Sequence, residues 1–371
     1  MRLGLLQLRR SARRTSVLVL AFGILTALVV FVNALSTTLD RTLAGAVATM
    51  EADLVVLTTA SRGVPQASRI TSEHLEQLSM VSGVARSEPV GELRVTAVVD
   101  DREVAASLFG APPSGPGRPG VLLEGRRPTG PGEVVIDEIE RHNGLALGDR
   151  VRIVGADVEL TIVGIARGAR FGGILTLHAT FDDWLSTFAQ RFPDATELRP
   201  TMVAVQTAAG HEAPAVMDRI NRTVDGVTAR TPAQAASELP GLAGIRDSFR
   251  MITIVAVGAA LILVGAFWSL VASQQARDVA VLSAIGVRRS CLVRALLTQV
   301  GAVATSGTLT GALAVWALGQ VTPPTFPLTV RPSEVALVVV LLAAGALIAA
   351  LPGVTSGTRV DPVRAIAEAD R

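Results

Sequence analysis

Residues 251–271 read MITIVAVGAALILVGAFWSLV. No residue in this stretch is ionisable, and a helix of its length reaches about 30 Å, the thickness of a bilayer's hydrocarbon core. The charge-free window runs on to residue 276, and three more windows lack Asp, Glu and Arg: 15–39, 295–330 and 335–358. The first has the core VLVLAFGILTALVVFV (17–32) and the last VALVVVLLAAGALIAAL (335–351). A charge at the bilayer centre costs roughly 2.5–3.5 kcal/mol on insertion scales, so four such windows point to four transmembrane helices. We place them at 15–39, 251–276, 295–319 and 335–355. The first window also has the basic lead-in of a signal peptide. Its apolar run is longer than the ~7–15 residues of an h-region, so it reads as an uncleaved anchor.

Composition agrees. Charged residues make up 18% and hydrophobic ones 49% of the 371 residues, against about a quarter charged in a soluble domain. All 34 basic residues are Arg. Without Lys there is no G-x-x-x-x-G-K-[ST] phosphate loop and no Schiff-base lysine. The single Cys291 excludes an internal disulfide framework and a multi-cysteine metal site, and a net charge of +2 gives no case for nucleic acid. No metal site and no cofactor in this chain are expected.

Arg placement orients the spans. Residues 1–14, an amphipathic lead-in, hold five Arg and no acid. The 277–294 loop holds Arg277, Arg288, Arg289 and Arg294 against Asp278 alone. Both termini, with a 356–371 tail, and the 277–294 loop are therefore expected on the cytoplasmic side. Residues 40–250 and the Pro-rich 320–334 loop are expected outside.

Residues 40–250 carry 21 Arg and 27 acids, a soluble-domain mixture. Residues 53–57 read as a strand, 72–80 as a helix capped by Ser72, and 83–99 as a strand. Residues 202–206, 212–224 and 226 onward repeat that order, which predicts a split βαβ lobe packed on helices. Between them APPSGPGRPG (111–120) opens a β-rich insertion, about 111–199. The fold class is thus a four-span α-helical membrane protein with a large α+β extracytoplasmic domain. His74, His142, His178 and His211 lack ligand spacing. Asp100-Asp101 and Asp182-Asp183 read as turns and helix caps, with no nucleophile–base constellation nearby.

From Ala276 the chain reads ARDVAVLSAIGVRRSCLVRALLTQVGAVATSGTLTGALAVWAL. Val279, Leu282 and Ile285 recur as one apolar helical stripe, Gly286 can end that helix, and Arg288 and Arg289 follow at its foot. Gly307 and Gly311, and then Gly345 and Ala349, show the small-residue spacing that lets helices approach in lipid, within one subunit or between two.

The run Arg277-Asp278-Val279-Ala280-Val281-Leu282-Ser283-Ala284-Ile285-Gly286 resembles the segment joining the second and third spans of FtsX/MacB/LolC-type permeases of ATP-binding-cassette systems. It departs at Ser283, where that family usually has a basic residue. Leu147-Gly148-Asp149-Arg150-Val151, Leu160-Thr161-Ile162-Val163-Gly164 and Val360-Asp361-Pro362-Val363-Arg364-Ala365-Ile366 are similar to further family motifs in the same order. The resemblance implies a non-catalytic permease in a bacterial inner membrane, working as a pair with a second copy or homologue. Its 277–289 segment would be a coupling helix on a cytoplasmic ABC ATPase, which binds the ATP and Mg. Membrane lipid and an extracytoplasmic partner protein complete the partners it implies. Two roles stay open: export or extraction driven by mechanotransmission, and an FtsX-like signalling module controlling a cell-wall hydrolase.

Overall fold

The computed structural model describes residues 12–195, 199–284 and 289–321, with Ala336, Val340, Leu341, Ala344, Gly345 and Ile348 beyond them. The chain divides into two compact units, a central one over Thr37–Arg246 and a helical one made of the flanking segments.

Helix α1 (Ala12–Ala48) precedes β1 (Leu54–Thr58), α2 (Ser72–Met80) and β2 (Val84–Val99). After the insertion come β9 (Met202–Thr207), α4 (Ala213–Thr223), β10 (Val227–Arg230) and the short α5 (Pro232–Ser237). The four strands pair antiparallel in the order β10-β1-β9-β2. This is the ferredoxin-like arrangement of two split βαβ units expected from the repeated pattern. Helices α2 and α4 bury Leu78, Val216 and Ile220 against Leu54, Val56, Val203 and Val205 of the sheet. Local chemistry starts these helices where they start. Thr71, one residue before the expected Ser72, accepts from the His74 amide, and the His74 ring accepts from Thr71 N–H, a reciprocal capping box. Thr231 and Gln234 do the same for α5.

The insertion holds β3 (Arg102–Ala111), β4 (Val121–Gly125), β5 (Glu133–Asp137), β6 (Arg150–Ile153), β7 (Glu159–Arg167), β8 (Leu175–Thr180) and α3 (Phe181–Arg191). Its pairings run β2-β3-β8-β5-β7-β6 and return to β2. The six strands therefore close into a barrel, which removes their free edges. Ala97, Leu108, Val134, Ile136, Val151, Leu160, Ile162 and Leu177 fill it, and Trp184 of α3 joins that core. The lobe thus begins near residue 91, not 111. Strand β2 serves both sheets: Val84–Val90 pair with β9 and Gly91–Val99 with β3. Its extended pattern runs unbroken through the handover, so the sequence shows no boundary there. Asp100 and Asp101 form the β2–β3 hairpin turn at φ 47° and 60°. Asp183 caps α3 with Thr180.

The flanking helices differ from expectation in length. Helix α1 continues past 39 to Ala48, and α6 (Leu242–Ala284) starts nine residues before 251. Among the described residues, two helices are long and apolar enough to cross a membrane, Val19–Ala48 in α1 and Thr298–Val321 in α7 (Arg289–Val321). The 251–276 window lies inside α6. Most of the 335–355 window lies outside the described residues, so two of the four expected spans pass this test.

Candidate coupling site

Where α1 ends, its backbone is gripped by the run Gly168-Ala169-Arg170-Phe171-Gly172-Gly173 between β7 and β8. Ala46 N–H donates to the Arg170 carbonyl at 2.8 Å, and the Gly172 and Gly173 amides donate to the Leu43 and Thr42 carbonyls at 2.9 and 3.1 Å. Thr49 Oγ1 donates to the Gly168 carbonyl at 3.1 Å. Contact this close needs small residues: a Cβ on Gly45 would meet the Gly168 and Arg170 carbonyls. The turn itself uses left-handed glycines, Gly168 (φ 65°), Gly172 (φ 63°) and Gly173 (φ 75°).

From its other side the same turn is held by buried polar groups of the barrel lobe. Asp137 Oδ2 accepts from Ala169 N–H at 2.6 Å, and His178 Nε2–H donates to the Ala169 carbonyl at 2.8 Å. Arg170 lies 3.7 Å from the buried Glu140 and donates to the Gly173 and Ile174 carbonyls. Burial lowers the His178 pKa to about 4 and raises that of Asp137. The His178 ring also stacks on Phe109 at 5.3 Å. The hydrogen bonds of Asp137 and His178 to the Ala169 backbone fix one geometry for the turn.

Helix α6 enters beside this clasp. Leu242 and Leu239 share a core with Ala44, Ala46 and Val47 of α1, with Val55, Met202 and Ala204 of the ferredoxin-like sheet, and with Phe109 and Phe171 of the barrel lobe. Phe109 and Phe171 meet edge-on at 5.3 Å. Arg246 Nε donates to Asp40 Oδ1 at 2.7 Å. One cluster therefore joins both helices to both lobes. The sequence reading missed this clasp, although the Gly-rich GARFGG run was a visible signal.

The residues expected to couple to an ATPase fall elsewhere. Arg277, Asp278, Val279 and Leu282 lie on the last turns of α6, which runs unbroken from Leu242 to Ala284. The expected loop is helix up to that point, and α7 resumes at Arg289. Ile285, Gly286 and Arg288 lie outside the described residues. In α7, Gly307 packs on Phe22 and Gly311 on the Gly23 carbonyl and Thr26, all of α1. Gly345 lies against Leu261 of α6. These glycines serve packing within one chain; Ala349 lies outside the described residues. No cluster of three or more metal-ligating side chains occurs among the described residues.

Comparison with known proteins bears on the whole chain. A family model described as the MacB-like periplasmic core domain matches residues 15–223, and one described as the FtsX-like permease C-terminal matches residues 250–360. An ABC transporter permease of Mycobacterium tuberculosis is 27% identical over 78% of this chain and 77% of its own length. A hemin transport system permease protein of Staphylococcus epidermidis is 20% identical over 66% of each chain. The solved periplasmic region of MacB from Actinobacillus actinomycetemcomitans aligns with 52% of this chain and 95% of its own, at 13% identity and a TM-score of 0.35. Two long apolar helices fit a membrane location. The chain belongs to the family of ABC transporter permeases that combine a MacB-like periplasmic core domain with an FtsX-like permease domain.

Proposed function

We propose that this chain is the membrane subunit of an ABC system in which a separate cytoplasmic ATPase drives movement of the central domain. Two copies, or this chain and a homologue, pair around the membrane helices, with both termini inside and residues 40–250 outside. The last turns of α6 and the segment to Arg289 dock on the ATPase, with Val279, Leu282 and Ile285 as the apolar face and Arg277, Asp278, Arg288 and Arg289 at its rim. ATP and Mg belong to that partner, and this chain does no chemistry of its own.

The observation that carries the reading is the clasp between α1 and residues 168–173. A helix that is hydrogen-bonded directly to the domain's turn, and packed with α6 in one core, moves that domain when it moves. A flexible linker would dissipate the motion instead. A relative named as a hemin transport system permease protein favours export or extraction over the regulatory role.

Spin labels at Gly130, a position with open space around it, provide the test. With the cognate ATPase bound in lipid, ATP should change the distance between the labels of the two copies. Identical distance distributions with and without ATP would contradict the proposal.

A further inference from the structure

Beside the point where β2 passes from one sheet to the other, the central domain has a cleft of about 700 Å³. This lies within the ~300–1,000 Å³ of small-molecule sites. Three arginines line it, Arg69, Arg94 and Arg191, together with Phe188 and Phe192. Arg69 Nη1 donates only to the Gln66 and Ser68 carbonyls, and Arg191 Nη1 to the Val154 carbonyl. Among the described residues, none of the three forms an ion pair with a carboxylate within 4 Å.

Among the described residues, two acids line the cleft beside the three arginines, and neither pairs with them within 4 Å. Asp194 is a single exposed carboxylate at the rim. Glu92 is only 3% exposed, accepts from Ser107 Oγ at 2.5 Å through Oε1, and leaves Oε2 with no hydrogen-bond partner. Burial raises its pKa, against the pull of Ser107, Gln66 and Arg94, so it holds a proton more readily than an ordinary glutamate.

The apolar wall runs out of the barrel core: Phe181 and Phe188 pack against that core, while Phe192 lies beyond it. Phe181, Trp184, Phe188 and Phe192 form a ladder along α3 and its end, with ring centroids 5.3, 5.3 and 5.0 Å apart. It begins in the barrel core at the fully buried Trp184 and ends in the cleft at Phe192, which is 45% exposed.

We propose that this cleft binds a small water-soluble amphipathic anion, with a carboxylate or phosphate head among Arg69, Arg94 and Arg191 and an apolar tail along Phe188 and Phe192. The head is the kind of group that guanidinium forks recognise, and the aromatic wall accounts for the tail. This site goes beyond the coupling function, and its test needs neither ATPase nor nucleotide, so the two stand or fall separately.

Octyl phosphate is a suitable probe, titrated calorimetrically into the full chain in phosphatidylcholine nanodiscs, with empty nanodiscs as the baseline. Saturable binding is expected, with octanol and inorganic phosphate each at least tenfold weaker. Arg94→Gln with Arg191→Gln should weaken octyl phosphate at least tenfold, and Phe192→Ala should weaken it several-fold. Both changes are at the surface of the cleft, and an unchanged melting curve would show that folding is intact. Arg94→Gln alone, at an exposed position, is the second variant and should weaken binding about threefold or more. Binding no greater than to empty nanodiscs, or untouched by the arginine changes, would overturn the proposal. Equal affinity for inorganic phosphate would overturn the role of the aromatic wall.

Discussion

Asp40 and Arg246 are 206 residues apart in the chain, yet Arg246 Nε lies 2.7 Å from Asp40 Oδ1. The pair ties the first turns of α6 to α1 at the two ends of the central unit, Thr37–Arg246. Both side chains are about one-third exposed. The bond is therefore a modest contributor to stability and a specific constraint on geometry.

Replacing Asp40 with Asn should cost roughly 0.5–1 kcal/mol of stability, in the range of partly exposed pairs. Its larger effect should fall on coupling, as a loss of transport at normal membrane levels and normal ATPase binding. Exchanging the charges, Asp40→Arg with Arg246→Asp, should recover most of that transport. A double exchange no better than the single changes would show that the pair has no role in coupling.

Gly91 and Gly110 are register partners across β2 and β3, and Trp184 lies over both. A Cβ on either would run into the indole far inside contact distance. Trp184 is fully buried and rigid, so Gly91→Ala should destabilise the barrel by about 2–3 kcal/mol. Gly144→Ala is the control. It has open space but φ 94°, and should cost only about 1 kcal/mol. Melting temperatures of the two variants should separate in that order.

His178 makes the α1 clasp sensitive to acid. Its pKa is lowered from 6.5 to about 4 by burial, so the folded state favours the neutral ring. That stability is fully present above pH 6.5 and is lost as pH falls toward 4, with a total on the order of 3 kcal/mol. Glu92 and Asp137, both raised by burial, respond in the opposite sense. The clean observable is thus the difference between the wild type and His178→Gln, which keeps an amide donor near the Ala169 carbonyl. Over pH 6.5 to 4 the wild type should lose stability relative to this variant. Parallel pH–stability curves would refute the buried neutral histidine.

Several of these features were legible in the sequence, and the reason is local. The strand–helix–strand order of the ferredoxin-like lobe follows from apolar periodicity, with the first helix capped by Thr71 one residue before the expected Ser72. The hairpin turn at Asp100-Asp101 and the Asp183 cap follow from short-range hydrogen bonding. Barrel closure did not show, because it depends on Ala97 and Val98 pairing with Ile153 and Arg152, strands far apart in the chain and unremarkable in composition. The Asp40–Arg246 pair was invisible for the same reason, and of the clasp only the Gly-rich run at 168–173 showed. The charges at Arg277 and Asp278 suggested a loop carrying a separate short helix after the apolar window, whereas α6 runs on through them to Ala284.

In the proposed function ATP-driven work enters through the end of α6, where Leu282 lies. Co-expressed with its cognate ATPase, the wild-type chain should co-purify with that partner and support ATP-dependent transport. Leu282→Asp would place a desolvated charge in the docking groove, costing several kcal/mol where the contact is tight (about 2–5 kcal/mol for a buried unpaired group). This variant should reach the membrane at normal levels and lose the ATPase. Retention of the partner together with full ATP-dependent transport would contradict it.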